Sequence, residues 1–222
     1  MEQQKSKISK NQSNRLRIEV CGGIASGKTT FALLMKRLGF NTLLENFQIN
    51  PFLKDFYSDA VKYTFETEIS FILQHYHQIK KEQVGSKVNV CDFSFLLDLA
   101  YAEIGLKDSK LKAFHIIHDE IKRDLPPPAL FVHLNCDAKT ELQRARTRGR
   151  VIEESVSLEF LKKLNKAVER QVANISGKTK VVSIDSAQKD FVKDEAVKQE
   201  LMKLVSGSLE ETLGRKVSRK RE

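Results

Sequence analysis

The chain has 222 residues, 41% hydrophobic and 30% charged. That is enough for one domain with a sizeable core, and no apolar run approaches the ~18 residues that a membrane-spanning helix needs. Three cysteines with no CxxC pair support neither a disulfide framework nor a cysteine zinc site. Cys21, Cys91 and Cys136 each close a short β-like run and read as core thiols.

The net charge of +9 is unevenly placed. Residues 1–15 carry four basic side chains against one acidic, and residues 206–222 carry five against three. Neither end interleaves aromatics among its bases as a nucleic-acid stacking platform would, so no polynucleotide partner is expected. The division read from this pattern is a disordered basic leader over 1–14, one domain over 15–205 and a solvated basic tail over 206–222. The leader has no apolar signal core, which makes the cytoplasm the expected compartment.

In chain order, β-branched and apolar runs at Leu16–Cys21, Thr42–Leu44, Val88–Cys91, Leu130–Leu134 and Val181–Ile184 alternate with amphipathic stretches. Strands separated by helices predict an α/β fold, a five-stranded parallel sheet with helices on both faces. A long helix over 50–81 is expected to wall one edge and to return to the sheet through a Gly85-Ser86 turn. Pro126, Pro127 and Pro128 cannot donate backbone hydrogen bonds and should end the helix before the fourth strand.

The first strand runs into Gly22-Gly23-Ile24-Ala25-Ser26-Gly27-Lys28-Thr29, with Thr30 next, which fits GxxxxGK[ST] between a strand and a helix. Glycines let the backbone wrap an anion, successive N–H groups point into the loop, and the helix offers its positive dipole end. This reads as a P-loop for ATP, against the plainer reading of a glycine-rich turn with a helix cap: Lys28 would reach the terminal phosphates and the Thr29 hydroxyl would join a Mg2+ shell. Asp92, directly after the third strand, is the candidate second metal anchor; its alternative is capping the next helix. Further on, Arg144 and Arg148 share a helix face and Arg150 follows Gly149. Guanidinium forks suit phosphate oxygens, so these three read as an arginine-rich lid, against the plainer reading of a solvated helix paired with Glu141, Glu153 and Glu154. His75 and His77, two apart on a helix, point away from one another and make poor metal ligands.

Taken together, the P-loop, LLENFQINPFLKDFY, RARTRGRVIEE, SLEFLKKLNKAVE and VVSIDSAQKDFV resemble the deoxynucleoside kinase family, particularly its bacterial deoxyadenosine and deoxyguanosine kinase branch, from about Arg15 to Val205. The resemblance implies a P-loop NTP hydrolase fold, a homodimer, and transfer of the ATP γ-phosphate to a nucleoside 5′-hydroxyl. By position it makes Glu45 the general base, Arg144, Arg148 and Arg150 the lid arginines, and Glu153 the acid that closes over the sugar; Tyr57 and Phe71 would wall the base pocket. Two positions depart from the family pattern. Glu68 stands where a glutamine reads the base edge, and a carboxylate can offer that donor only when protonated. The family's acid-Arg-Ser triplet becomes Asp92-Phe93-Ser94. Two rival functions stay open: a nucleoside monophosphate kinase, disfavoured because no arginine occurs between 45 and 95, and a nucleotide-binding regulatory protein with little turnover.

Overall fold

A computed structural model of the chain describes residues 16–83 and 87–218. The 1–14 leader and the Gly85-Ser86 turn fall outside the described residues. Five strands, β1 (Arg17–Cys21), β2 (Asn41–Leu43), β3 (Asn89–Cys91), β4 (Leu130–Asn135) and β5 (Val181–Asp185), form one parallel sheet in the order β2-β3-β1-β4-β5. They are the expected strands with ends moved by a residue. Strands read this clearly because a parallel sheet is covered on both faces: all of β1 is buried, and so is β4 except for Asn135.

The covering layers follow from side-chain alternation. On one face Ile18, Val20, Leu130, Val132 and Ile184 pack with Phe31 and Met35 of α1 (Lys28–Lys36) and with Leu201, Val205 and Leu209 of the last helix. On the other face Cys21 and Phe131 meet α4 (Phe95–Gly105), α6 (Ala138–Arg148) and α7 (Leu158–Ile175), where Leu161, Leu164 and Val168 supply the buried stripe. Leu43, Cys91 and Phe93 join α4, α3 (Ala60–Lys81) and α5 (Asp108–Asp124) in a third cluster around Phe114. All three cysteines are buried free thiols.

The long helix expected over 50–81 is broken. A 3-10 turn at Phe47–Ile49 and the short α2 (Leu53–Ser58) precede α3 (Ala60–Lys81). The break lies at Asp59, whose backbone is extended (φ −150°, ψ 83°) and whose carboxylate accepts the Lys62 N–H, so a capping acid ends one helix and starts the next. Across this kink α2 packs against α3, and α3 packs against α4 and α5. The prolines stand, as expected, between α5 and β4. The boundary drawn at residue 205 falls inside α8 (Glu195–Ser218). Leu201, Val205 and Leu209 recur every four residues and are buried, so apolar spacing carries this helix past the point where basic composition suggested a tail. Among the described residues no helix is long and apolar enough to cross a membrane.

The sheet order places the switch point at β1. The chain fills the β3 side first and then crosses to β4, leaving a crevice outside the C-terminal ends of β1, β2 and β3.

Candidate active site

A cavity of about 860 Å3 occupies that crevice, and every candidate residue from 24 onward except Ser26 lines it. Its floor is the P-loop. Ala25 and Gly27 take left-handed backbone (φ 59° and 102°), and a Cβ at Gly27 would meet the Phe191 ring at 2.9 Å. Beneath the loop, a Cβ on Gly23 would come within 2.3 Å of Glu141 Oε1 and 2.4 Å of Asn165 Oδ1. The loop therefore lies directly on a buried polar pair, in which Asn165 Nδ2 donates to Glu141 Oε2 at 2.9 Å. Burial raises the Glu141 carboxyl to about 7. Ser26 is fully buried within the loop.

Lys28 opens α1, and its Nζ donates to the carbonyls of Gly22 (3.0 Å) and Gly23 (2.8 Å). Burial lowers its pKa, opposed by the carboxylates of Glu45, Glu141 and Asp92. Thr29 Oγ1 donates to Asp92 Oδ2 at 2.7 Å. The other carboxylate oxygen of Asp92 accepts the backbone N–H of Glu45 at 2.6 Å. Asp92 thus joins the P-loop helix to the end of β2. The helix after β3 is capped by Ser94, whose Oγ accepts the Leu97 N–H, so the capping role weighed for Asp92 belongs to its neighbour. Burial raises the Asp92 carboxyl, against the bonds from Thr29 and Glu45. A hydroxyl and a carboxylate held 2.7 Å apart beside a phosphate loop form an all-oxygen donor set, which fits Mg2+ completing its shell with phosphate oxygens and water.

Glu45 follows β2 and points into the cavity, its side chain 31% exposed. Its Oε1 lies 3.0 Å from His75 Nε2, while His75 Nδ1 lies 2.9 Å from Asp98 Oδ2. Burial alone would raise the Glu45 carboxyl; the hydrogen bond and charge of His75, with Lys28 and Arg150, hold it below the ordinary range. Glu68 and Phe71 lie one turn apart on α3 and face the same space, and Tyr57 of α2 closes it. Burial, and then the charge of Asp98, push the Glu68 carboxyl well above the usual range. Burial also raises the Tyr57 hydroxyl.

The lid arginines approach from the opposite wall. Arg144 Nη2 donates to the Ser186 carbonyl at 2.7 Å, tying α6 to the segment after β5. Arg148 and Arg150 both pair with the buried Glu153, Arg150 at 3.3 Å, and Arg150 also lies 4.4 Å above the Phe47 ring. Arg146, in the same run, instead donates to the carbonyls of Glu154 and Val156. The lid is thus laced to its own glutamate, and Ser155 Oγ donates across to the Tyr57 carbonyl at 3.1 Å.

Several residues in the cavity wall or behind it were given no site role by the sequence reading. Asp98 sits alone in the apolar run FLLDLA, a signal that was there to be used; His75 lies seven residues after Glu68 and four after Phe71 on the inner face of α3. Phe47, Lys189, Asp190 and Phe191 also line the cavity; they lie within the segments LLENFQINPFLKDFY and VVSIDSAQKDFV, but no role was read for them individually.

Comparison with known proteins agrees with this geometry. The family model for Deoxynucleoside kinase matches residues 18–210. A deoxyadenosine kinase of Dictyostelium discoideum is 30% identical over 202 residues, 86% of this chain and 80% of that protein. A deoxyguanosine kinase of Bacillus subtilis (strain 168) is 28% identical over 184 residues, 79% of this chain and 88% of its own length. Among solved structures, deoxyadenosine kinase from M. mycoides with bound dCTP superposes with a TM-score of 0.73 at 20% identity, covering 87% of this chain and all of that one. The same kinase with bound dATP gives 0.72 at 19% identity, over 86% of this chain and all of that one. A P-loop, a carboxylate opposite it and an arginine-bearing lid on a 2-3-1-4-5 sheet, matched over nearly the whole body, place the chain in the deoxynucleoside kinase family, enzymes of ATP-dependent phosphorylation of deoxynucleosides.

Proposed function

We propose that the chain phosphorylates the 5′-hydroxyl of a purine deoxynucleoside, with Glu45 as general base. One observation carries this reading: Glu45 faces the cavity shared with Lys28, while its own backbone N–H is bound to Asp92, so the base and the phosphate cradle are held as one unit. In this role Glu45 takes the hydroxyl proton as the oxygen attacks the γ-phosphate of ATP. Lys28 and the amides of residues 22–29 bind the phosphates. Thr29 and Asp92 would hold Mg2+, which would supply charge neutralisation to the phosphate groups. Arg144, Arg148 and Arg150 stabilise charge on the transferring group and exclude water, and Glu153 holds two of them in place.

Glu68 supports the choice of a base-reading pocket. As a neutral acid it carries one O–H donor and one carbonyl acceptor, the pair an amide would present. Tyr57 and Phe71 supply flat walls. The relatives named above act, by their names, on deoxyadenosine or deoxyguanosine. A monophosphate acceptor would find no arginine between 45 and 95 to meet its charge. Exposed Val61 and Leu73 of α3 and Ile116 of α5 support a homodimer through the long helices, and the cytoplasm is the compartment in which such an enzyme would meet ATP and its nucleoside.

The test is ATP consumption with a panel of the four deoxynucleosides and their monophosphates, with products identified by mass spectrometry. Purine deoxynucleosides should give the corresponding monophosphates with the highest kcat/KM. Turnover confined to monophosphate acceptors, or ATP binding without acceptor-dependent turnover, would overturn the proposal. The sign of the Glu68 shift gives a second result. The acid is neutral below its raised pKa and loses its donor as pH rises through it. Glu68→Gln should therefore keep kcat/KM within about threefold at neutral pH and hold it to higher pH than the wild type.

A further inference from the structure

The imidazole of His75 is buried at 3% exposure behind the cavity wall, so it does not touch a substrate, yet it makes two short polar contacts to carboxylates. Nε2 meets Glu45 at 3.0 Å and Nδ1 meets Asp98 at 2.9 Å. A neutral imidazole carries one N–H and one lone pair, so one of those contacts would set a lone pair against a carboxylate. Only the cation donates from both nitrogens. The ring plane is fixed as well. Phe93 stacks on it with centroids 4.1 Å apart and planes 5° from parallel, and Phe71 lies on the other side at 5.9 Å and 26°. An aromatic face against an imidazolium adds cation–π attraction in a dry setting.

We propose that His75, carried as an imidazolium between Asp98 and Glu45, is the positioning residue that aims the Glu45 carboxylate at the acceptor hydroxyl. This deepens the reading of Glu45 as general base and rests on it. Phe93, fully buried at the place where the resembling family carries arginine, serves here as the stacking surface that orients the ring. The cation sits on the inner face of α3, and Asp98 is its second anchor. The groups facing His75 are Glu45, Asp98 and Glu68, all acidic; burial raises the Asp98 and Glu68 carboxyls, and the charge of His75 opposes this at both, most directly at Asp98 through its hydrogen bond. Burial disfavours the cation, but Asp98 and Glu45 together raise the imidazole to about 10.

The experiment uses the full chain in two arms. In the first, the 15N shifts of His75 are recorded in the wild type at pH 7.5, and both ring nitrogens should be protonated. A neutral tautomer overturns the proposal. In the second, kcat and KM are measured for wild type, His75→Ala and His75→Ala/Phe93→Arg, with ATP binding as the check on folding. Misaiming a base typically costs about a hundredfold, so His75→Ala should lose that much in kcat while KM for ATP stays within about twofold. An arginine at 93 reaches into the space the imidazole leaves, and the double variant should recover at least about a tenth of the wild-type kcat. A loss in His75→Ala below threefold, or a double variant that binds ATP normally and recovers nothing, overturns the proposal. If His75→Ala does not fold, the shifts of the wild type decide. A wild type that turns over no deoxynucleoside instead sinks the functional reading, and the shifts still decide the charge on His75.

Discussion

Lys28→Ala should lower kcat on deoxynucleosides by about 100- to 1,000-fold, the loss expected when one donor aimed at developing charge is removed from a preorganised site. The side chain is the loop's point charge. Its Nζ lies between the Gly22 and Gly23 carbonyls at the floor of the cavity, where burial lowers its pKa and Glu45, Glu141 and Asp92 oppose that shift. Little of the fold depends on it, because α1 is anchored by Phe31, Ala32, Leu34 and Met35 on the opposite face of the sheet. The variant should therefore keep its circular dichroism spectrum and a cooperative thermal transition while ATP affinity and turnover both fall. Turnover within threefold of the wild type would remove the P-loop from the mechanism.

How much of this was legible in the sequence depended on how local each feature is. The phosphate loop is contiguous: glycines, lysine and threonine fall between a strand and a helix, and the structure keeps them so. The strands were legible because burial on both faces leaves unbroken apolar runs. Asp92 read as both a cap and a metal anchor because both need an acid after a strand; Ser94, two residues on, takes the cap. The break at Asp59 was missed because a capping acid inside a long amphipathic stretch looks like an ordinary solvated charge until its N–H partner is known. The boundary at 205 falls inside α8 because it rests on composition and not on period, and Leu209 continues the buried row. Least legible was the Asp98–His75–Glu45 chain. Its members come from α4, α3 and the segment after β2, so spacing could show that His75 shares a face with Glu68 and Phe71, but not what that face meets. Phe93 in place of the arginine of the resembling family is readable from the sequence, whereas its stacking on His75 is a contact between residues 18 positions apart.

Glu45→Gln should lower kcat by about 100- to 10,000-fold, the range associated with a positioned base, while leaving KM for ATP nearly unchanged. Glutamine keeps the length of the side chain, and its carbonyl oxygen can still accept from His75 Nε2, so the ring stack of Phe71, His75 and Phe93 has no reason to move. The backbone N–H that binds Asp92 is likewise unaffected. What disappears is the ability to accept a proton, because an amide nitrogen is not basic and its oxygen is already engaged. Binding and chemistry are thereby separated: ATP affinity reports the cradle, and kcat reports the base. Glu45→Asp supplies the complementary case, since it keeps the charge but draws the carboxylate back by one methylene, away from the acceptor and from His75. It should retain more activity than the glutamine variant while remaining well below wild type. If Glu45→Gln turned over within threefold of the wild type with normal ATP binding, proton removal would have to fall to another cavity group, and Asp92, the next carboxylate along the same wall, would be the first to examine.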